Sequence, residues 1–170
     1  MTERIVGILS DTHGWLDPQF ATLFEDAEVI LHAGNIGDTA VLEAMEQIAP
    51  VRAVYGNIDG RELRHLPEEE VVELGGLRIG LLHIAGQPKR PNRQARAFIR
   101  RERLDLFICG HSHVPVVGRV DGCVWLNPGA AGRQGFHSER HALRLRIGAE
   151  RAYSLERIHL GPRSTRGVTS

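Results

Sequence analysis

Short apolar runs recur along this chain, and five of them end in a residue able to bind a metal ion. The runs at residues 5–9, 29–33, 51–55, 77–83 and 106–109 have the length and branching of buried strands. Helical signals fill the gaps. Asp17 stands as a cap with Pro18 at the first helical position, and Phe20, Leu23, Phe24 and Ala27 share one face. Asp38 opens a second helix carrying Val41, Leu42, Met45 and Ile48, and residues 91–103 form a third, strongly basic one. Strand, helix and strand in succession build a largely parallel sheet covered by helices, the α/β class. After Pro115 the pattern changes to short β pieces at 116–120, 123–126, 142–147 and 152–158, divided by turns such as Asp121-Gly122. These read as antiparallel strands closing a second sheet. Residues 161–170, rich in Gly, Ser, Thr and Arg without periodicity, are expected to be a disordered tail after a single domain over 1–160.

With 170 residues, the chain is long enough to bury one sizeable core without staples. Its 21 Lys and Arg against 21 Asp and Glu exclude a globally basic nucleic-acid binder. No apolar run approaches the roughly 18 residues of a membrane span. Thr2-Glu3-Arg4 leads directly into the first strand, so a core strand is expected there rather than a signal peptide. Cys109 and Cys123 match neither a disulfide framework nor a zinc spacing. A reducing compartment, the cytoplasm, is expected. Residues 89–103 hold seven basic residues against one acid, Glu102, which reads as a solvated helix face, with a phosphate-rich ligand or acidic partner as the sharper alternative.

In an open α/β sheet, ligands bind beyond the carboxyl ends of the strands. The five strand ends here present Asp11-Thr12-His13, then His32-Ala33-Gly34-Asn35, Gly56-Asn57-Ile58-Asp59, His83, and Gly110-His111-Ser112-His113. In an extended or turning segment, residues two apart project the same way, so Asp11/His13 and His111/His113 can each place two ligands on one side of a loop. Oxygen and imidazole donors without thiolate suit divalent Mn, Fe, Zn, Ni or Co. The candidate ligands Asp11, His13, Asn35, Asn57, His83, His111 and His113 are too many for one tetrahedral site. They fit two adjacent ions, the arrangement used in phosphoester hydrolysis. Asp59 reads as an orienting or loop-bonding group. His32 and His65 are unplaced candidates for acid–base work, while His137, His141 and His159 read as structural or surface residues, with the 132–137 loop able to reach substrate as the alternative for His137.

Asp-x-His, Gly-Asn, Gly-Asn-x-Asp, a lone His and Gly-His-x-His, in this order over residues 11–113, resemble the calcineurin-like metallophosphoesterase superfamily. They are most similar to its small single-domain prokaryotic phosphodiesterase branch, to which the retromer subunit of the same fold is related. Asn127-Pro128-Gly129-Ala130 resembles the Asn-Pro-Gly-Ser of that branch. The resemblance implies a four-layer α/β/β/α sandwich of two facing mixed sheets. It also implies two divalent ions, Mn foremost, one held by Asp11, His13 and His113, the other by Asn57, His83 and His111, with position 35 bridging. The implied reaction is in-line attack of an activated water on a phosphate ester, a diester rather than a monoester. The family usually has Asp at position 35, and a neutral amide bridges two cations poorly. Ile58 stands where many members place a catalytic His, and Ile84-Ala85 replaces a Gly-His. These departures leave a weakly active or non-catalytic binding scaffold as the alternative. No membrane or nucleic-acid partner is expected, and a homo-oligomer is left open.

Overall fold

The computed structural model describes residues 2–163. The chain runs β1 (Arg4–Leu9), α1 (Phe20–Leu23), β2 (Val29–His32), α2 (Thr39–Glu46) and β3 (Val51–Ala53). It continues through β4 (Glu69–Leu74), β5 (Leu77–Leu82), the short β6 (Gly86–Gln87) and β7 (Arg90–Pro91), α3 (Arg93–Glu102) and β8 (Leu106–Ile108). It ends in β9 (Val116–Val120), β10 (Cys123–Asn127), β11 (Glu139–Ile147) and β12 (Tyr153–Pro162). Asp38 caps α2 by accepting from the Ala40 N–H, and Asn92 caps α3 by accepting from the Ala95 N–H. Asp17 accepts from the Gln19 N–H in the same manner, but only one regular turn follows.

Two five-stranded sheets form, in the orders β12-β11-β1-β2-β3 and β4-β5-β8-β10-β9. Within them β1, β2 and β3 are parallel, as are β5, β8 and β10. Alternate residues of β1 (Val6, Ile8), β5 (Ile79, Leu81) and β11 (Leu143, Leu145, Ile147) interdigitate between the sheets. α1 and α2 cover the outer face of the first sheet through Phe20, Phe24, Val41 and Met45. α3 covers the second through Ala95, Phe98 and Ile99, against Phe107 and Trp125. The four-layer α/β/β/α architecture is thus present.

Three expectations are corrected. The final strands do not all close a second sheet: β9 and β10 do, but β11 returns to pair antiparallel with β1, and β12 follows it. A strand that the sequence pattern had missed, β4, pairs antiparallel with β5. Finally, β12 extends to Pro162, and the Arg163 N–H donates to the Ser138 carbonyl, so order continues past the expected boundary at 160. The remainder of the expected tail, 164–170, lies outside the described residues.

Because β1, β2, β5 and β8 all point the same way, their carboxyl ends meet along one edge of the sandwich. The loops there are stitched across the gap between sheets. The His111 N–H donates to Asp11 Oδ2 (3.1 Å), and His83 Nδ1 reaches the Ala33 carbonyl (2.7 Å).

Candidate metal centre

Five of the seven candidate ligands sit in left-handed backbone: Asp11 (φ 55°), His13 (47°), Asn35 (56°), His111 (70°) and His113 (64°). Residues other than glycine adopt this region uncommonly, and it concentrates where a loop must aim a side chain. The turns are tight enough that Gly110 admits no side chain, since a Cβ there would lie 2.0 Å from Ser10 Oγ and 2.6 Å from Asp11 Oδ2.

Asp11, fully buried, is the hub. Its Oδ2 is saturated by the Ser10 hydroxyl (2.6 Å) and the His111 N–H. Its Oδ1 faces three imidazoles, with Nε2 of His113 at 3.2 Å, of His13 at 3.6 Å and of His83 at 3.8 Å. Burial by itself raises the Asp11 pKa, but the facing imidazoles of His113 and His13, the nearby His83 and the Ser10 hydroxyl outweigh it and hold the carboxyl well below the usual range. Nδ1 of His83 faces a carbonyl and must carry its proton there, which leaves Nε2 bare. Burial lowers the His83 pKa, against the opposing charge of Asp11, and favours this neutral form. Nε2 of His13 and of His83 are buried with no hydrogen-bond partner. Unpartnered imidazole nitrogens converging on one carboxylate oxygen are stable only with a proton or a cation shared among them. Asp11, His13 and His113 accordingly offer donor atoms all within 4.8 Å of one another.

A second group adjoins the first. The His83 and His111 rings meet edge to face with centroids 5.4 Å apart, and Asn57 Oδ1 lies 3.2 Å from His111 Nδ1. Asn35 is brought to the same place but not in the bridging role expected of it. Its Oδ1 accepts from the Ile58 N–H (3.1 Å), which turns the NH2 toward Asn57 Oδ1 (3.3 Å). The face it presents to the site is a donor.

Asp59 is a loop organiser: its carboxylate accepts from the Ile36, Gly37 and Gly56 N–H groups and ties the Asn35 loop to the Asn57 loop. Asn127 does the same for the last motif, donating to the Gly110 carbonyl and Ser112 Oγ while accepting from the Gly129 N–H. His32 is removed from the acid–base candidates. It is fully buried, its Nδ1 accepts from the Gly34 N–H and its Nε2 bonds Thr12 Oγ1, so no nitrogen is left for a substrate. His65 is exposed on a surface turn, with Nδ1 against the Glu62 carbonyl. His137, read from sequence as structural or surface on a loop able to reach substrate, stands against the site, its Nδ1 3.0 Å from His113 Nδ1.

The surroundings are apolar in a specific way. Ile58, Ile84 and Val114, each the residue after a candidate ligand, are among the few exposed large hydrophobic side chains. Beyond Ser112 and Val114 opens a cleft of about 630 Å³ whose walls include Val117, Lys89 and Arg119 over a floor of Trp125 and Asn127.

Imidazoles and one carboxylate are gathered at the joined strand ends of a two-sheet sandwich, the donor chemistry of a candidate divalent-cation site. Residues 5–150 match the model of the calcineurin-like phosphoesterase superfamily domain, and the chain belongs to that family, whose members are metal-dependent phosphoesterases. A probable metallophosphoesterase of Methanothermobacter thermautotrophicus is 32% identical over 131 residues, 74% of this chain and 76% of that protein. A phosphodiesterase of Methanocaldococcus jannaschii is 30% identical over 141 residues, covering 73% and 82%. Among solved structures, Vps29 of Entamoeba histolytica complexed with zinc superposes with a TM-score of 0.70 at 23% identity, covering 91% of this chain and 98% of that one. No helix among the described residues is long and apolar enough to cross a membrane.

Proposed function

We propose that the chain is a phosphodiesterase working with two divalent ions, manganese foremost, one held by Asp11, His13 and His113 and the other by His83, His111 and Asn57. The observation that carries this reading is the convergence of three Nε2 atoms on the single buried oxygen Asp11 Oδ1. Bound ions supply an acidified water and neutralise charge on phosphoryl oxygens. The chain's own part is to fix donor direction: the Ala33 carbonyl orients His83, and Ser10 with the His111 N–H holds Asp11. Imidazole, carboxylate and amide oxygen donors without thiolate favour the Mn-to-Zn series.

Preference for diesters is supported by room. The cleft beside Ser112 accommodates a second ester arm, and Ile58, Ile84 and Val114 offer that arm apolar contact. With His32 sealed in the core and Ile58 in the position of a histidine, neither of those positions among the described residues supplies a leaving-group acid, and aryl esters, which need none, are the favoured substrates. Localisation in the cytoplasm is part of the proposal, supported by Cys109 and Cys123, both free and buried. The test is hydrolysis of bis(4-nitrophenyl) phosphate with added Mn, compared with 4-nitrophenyl phosphate. Turnover favouring the diester and lost in His113→Ala is expected, and its absence in the parent overturns the reading.

The orientation of the Asn35 amide favours a second reading, a metal-holding scaffold without turnover. In that case the parent binds Mn without hydrolysis, and Asn35→Asp, which adds a bridging oxygen, gains both affinity and activity.

A further inference from the structure

A ring of hydrogen bonds begins and ends on Asp11. The Asp11 carbonyl accepts from the Gly132 N–H (3.0 Å). The Gly132 carbonyl faces Nε2 of His137 (2.9 Å), and Nδ1 of His137 faces Nδ1 of His113 (3.0 Å). Nε2 of His113 then returns to Asp11 Oδ1 at 3.2 Å. With a cation on His113 Nε2, one assignment of protons fits the remaining links. A carbonyl can only accept, so His137 Nε2 carries a proton, and the neutral ring is then bare at Nδ1. A bare Nδ1 requires the proton of the facing pair to sit on His113 Nδ1. His113 then has its Nε2 lone pair free for a cation; without one, a second proton on Nε2 would close the ring onto Asp11 Oδ1.

The loop is shaped for this contact. Gly135 has φ +130°, and a Cβ there would stand 2.3 Å from His113 Nδ1, so a side chain would part the two rings. The rings meet edge to face at 4.9 Å between centroids. Arg163 donates to the Gly135 carbonyl and pins the loop from the other side.

We infer that His137 is a positioning residue for the metal centre: it selects the tautomer and ring orientation in which His113 Nε2 is a ligand. The metal half of this statement rests on the reading of Asp11, His13 and His113 as a cation site. The hydrogen bond between the two rings does not. Such outer partners of metal-bound histidines typically change affinity by about 10- to 100-fold.

Two measurements test it on the full chain. Calorimetric titration of metal-stripped protein with Mn should show affinity about 10- to 100-fold weaker in His137→Ala. It should be largely retained in His137→Asn, whose Oδ1 takes the place of Nδ1 as acceptor. Thermal unfolding of the metal-free variants identifies any general damage to the fold. Nitrogen-15 correlation spectra of the imidazoles should show His113 protonated at Nδ1 in the parent and in His137→Asn. In His137→Ala the proton should move toward Nε2, where Asp11 Oδ1 can accept it. Equal Mn affinity in parent and His137→Ala overturns the inference, as does an Asn variant as weak as Ala. A parent His113 without a proton at Nδ1 also overturns it. If the parent binds no Mn, the cation reading fails on its own and the spectra still decide the role of His137.

Discussion

At the scale of single residues, histidines in one small region divide by what their two nitrogens face. His83 and His113 each spend Nδ1 on a hydrogen bond within the protein and keep Nε2 for the centre. His32 spends both and is thereby inert to substrate. Burial pushes the His32 imidazole down to about 4 from an ordinary 6.5, against the opposing charges of Asp11 and Asp59. Between those values the unfolded chain takes up a proton that the folded one refuses. Stability attributable to His32 is therefore intact above about pH 6.5 and is lost as pH falls toward 4, by roughly 3 kcal/mol at the limit. Ring-proton resonances of His32 should not shift between pH 8 and 5, and a midpoint near 6.5 would refute the buried network. The candidate ligands could be listed from sequence because each lies within a few residues of a strand end. His137 could not be listed with them. It lies 24 positions from His113 in a glycine-rich loop, and only the folded path of that loop brings it there. The role of Asn35 was half legible: its place could be read, but the direction of its amide depends on the Ile58 N–H, a backbone donor that side-chain spacing does not report.

At the scale of elements, the long inner strands were legible because both of their faces are apolar, as in β1 and β10. β4, Glu-Glu-Val-Val-Glu-Leu, was missed for the converse reason. It is an edge strand with only Val72 buried, and its charges mask the alternation. The short α1 is held less by its own turn than by a contact from far along the chain. Arg140 of β11, buried, forms an ion pair with buried Asp17 and also donates to the Leu160 and Pro162 carbonyls of β12. Its guanidinium lies 4.9 Å from the Trp15 ring, with Arg133 at 4.1 Å from the same ring. This cluster fastens the Asp11–His13 loop, through Trp15, to the end of the sheet. Removing one partner of a buried pair leaves an uncompensated charge and costs about 3 to 5 kcal/mol. Asp17→Ala should destabilise the protein by that amount in urea unfolding, whereas Glu28→Ala, which removes the exposed partner of Arg4, should cost under about 1 kcal/mol. Equal losses in the two variants would show that the cluster does not anchor α1.

At the scale of the molecule, sequence pattern assigns faces to strands but not partners. Nothing in the alternation of residues 139–147 distinguishes pairing with β1 from pairing with a neighbour in the second sheet. The choice is made by packing, in which Leu143, Leu145 and Ile147 complete the inter-sheet core beside Val6 and Ile8. That choice has a consequence for the candidate metal centre, because it leads the Gly132–His137 loop there as the chain enters β11. The centre itself joins the two sheets: Asp11 and His13 follow β1 in the first, and His111 and His113 follow β8 in the second. A cation shared by Asp11, His13 and His113 would therefore cross-link the sandwich at its open edge and bind the folded chain far better than the unfolded one. At a free ion concentration of 100 times Kd, the linkage amounts to about 2.7 kcal/mol. For a chain of this size that corresponds to a rise of about 5 to 10 °C in Tm. Thermal unfolding in chelator and then in increasing Mn should show this rise in the parent, and His113→Ala should remove most of it. His65→Ala, at an exposed surface turn, should leave it unchanged. A parent whose Tm is indifferent to Mn, or a His113→Ala variant that still responds fully, would mean that the convergent imidazoles serve the fold without holding an ion.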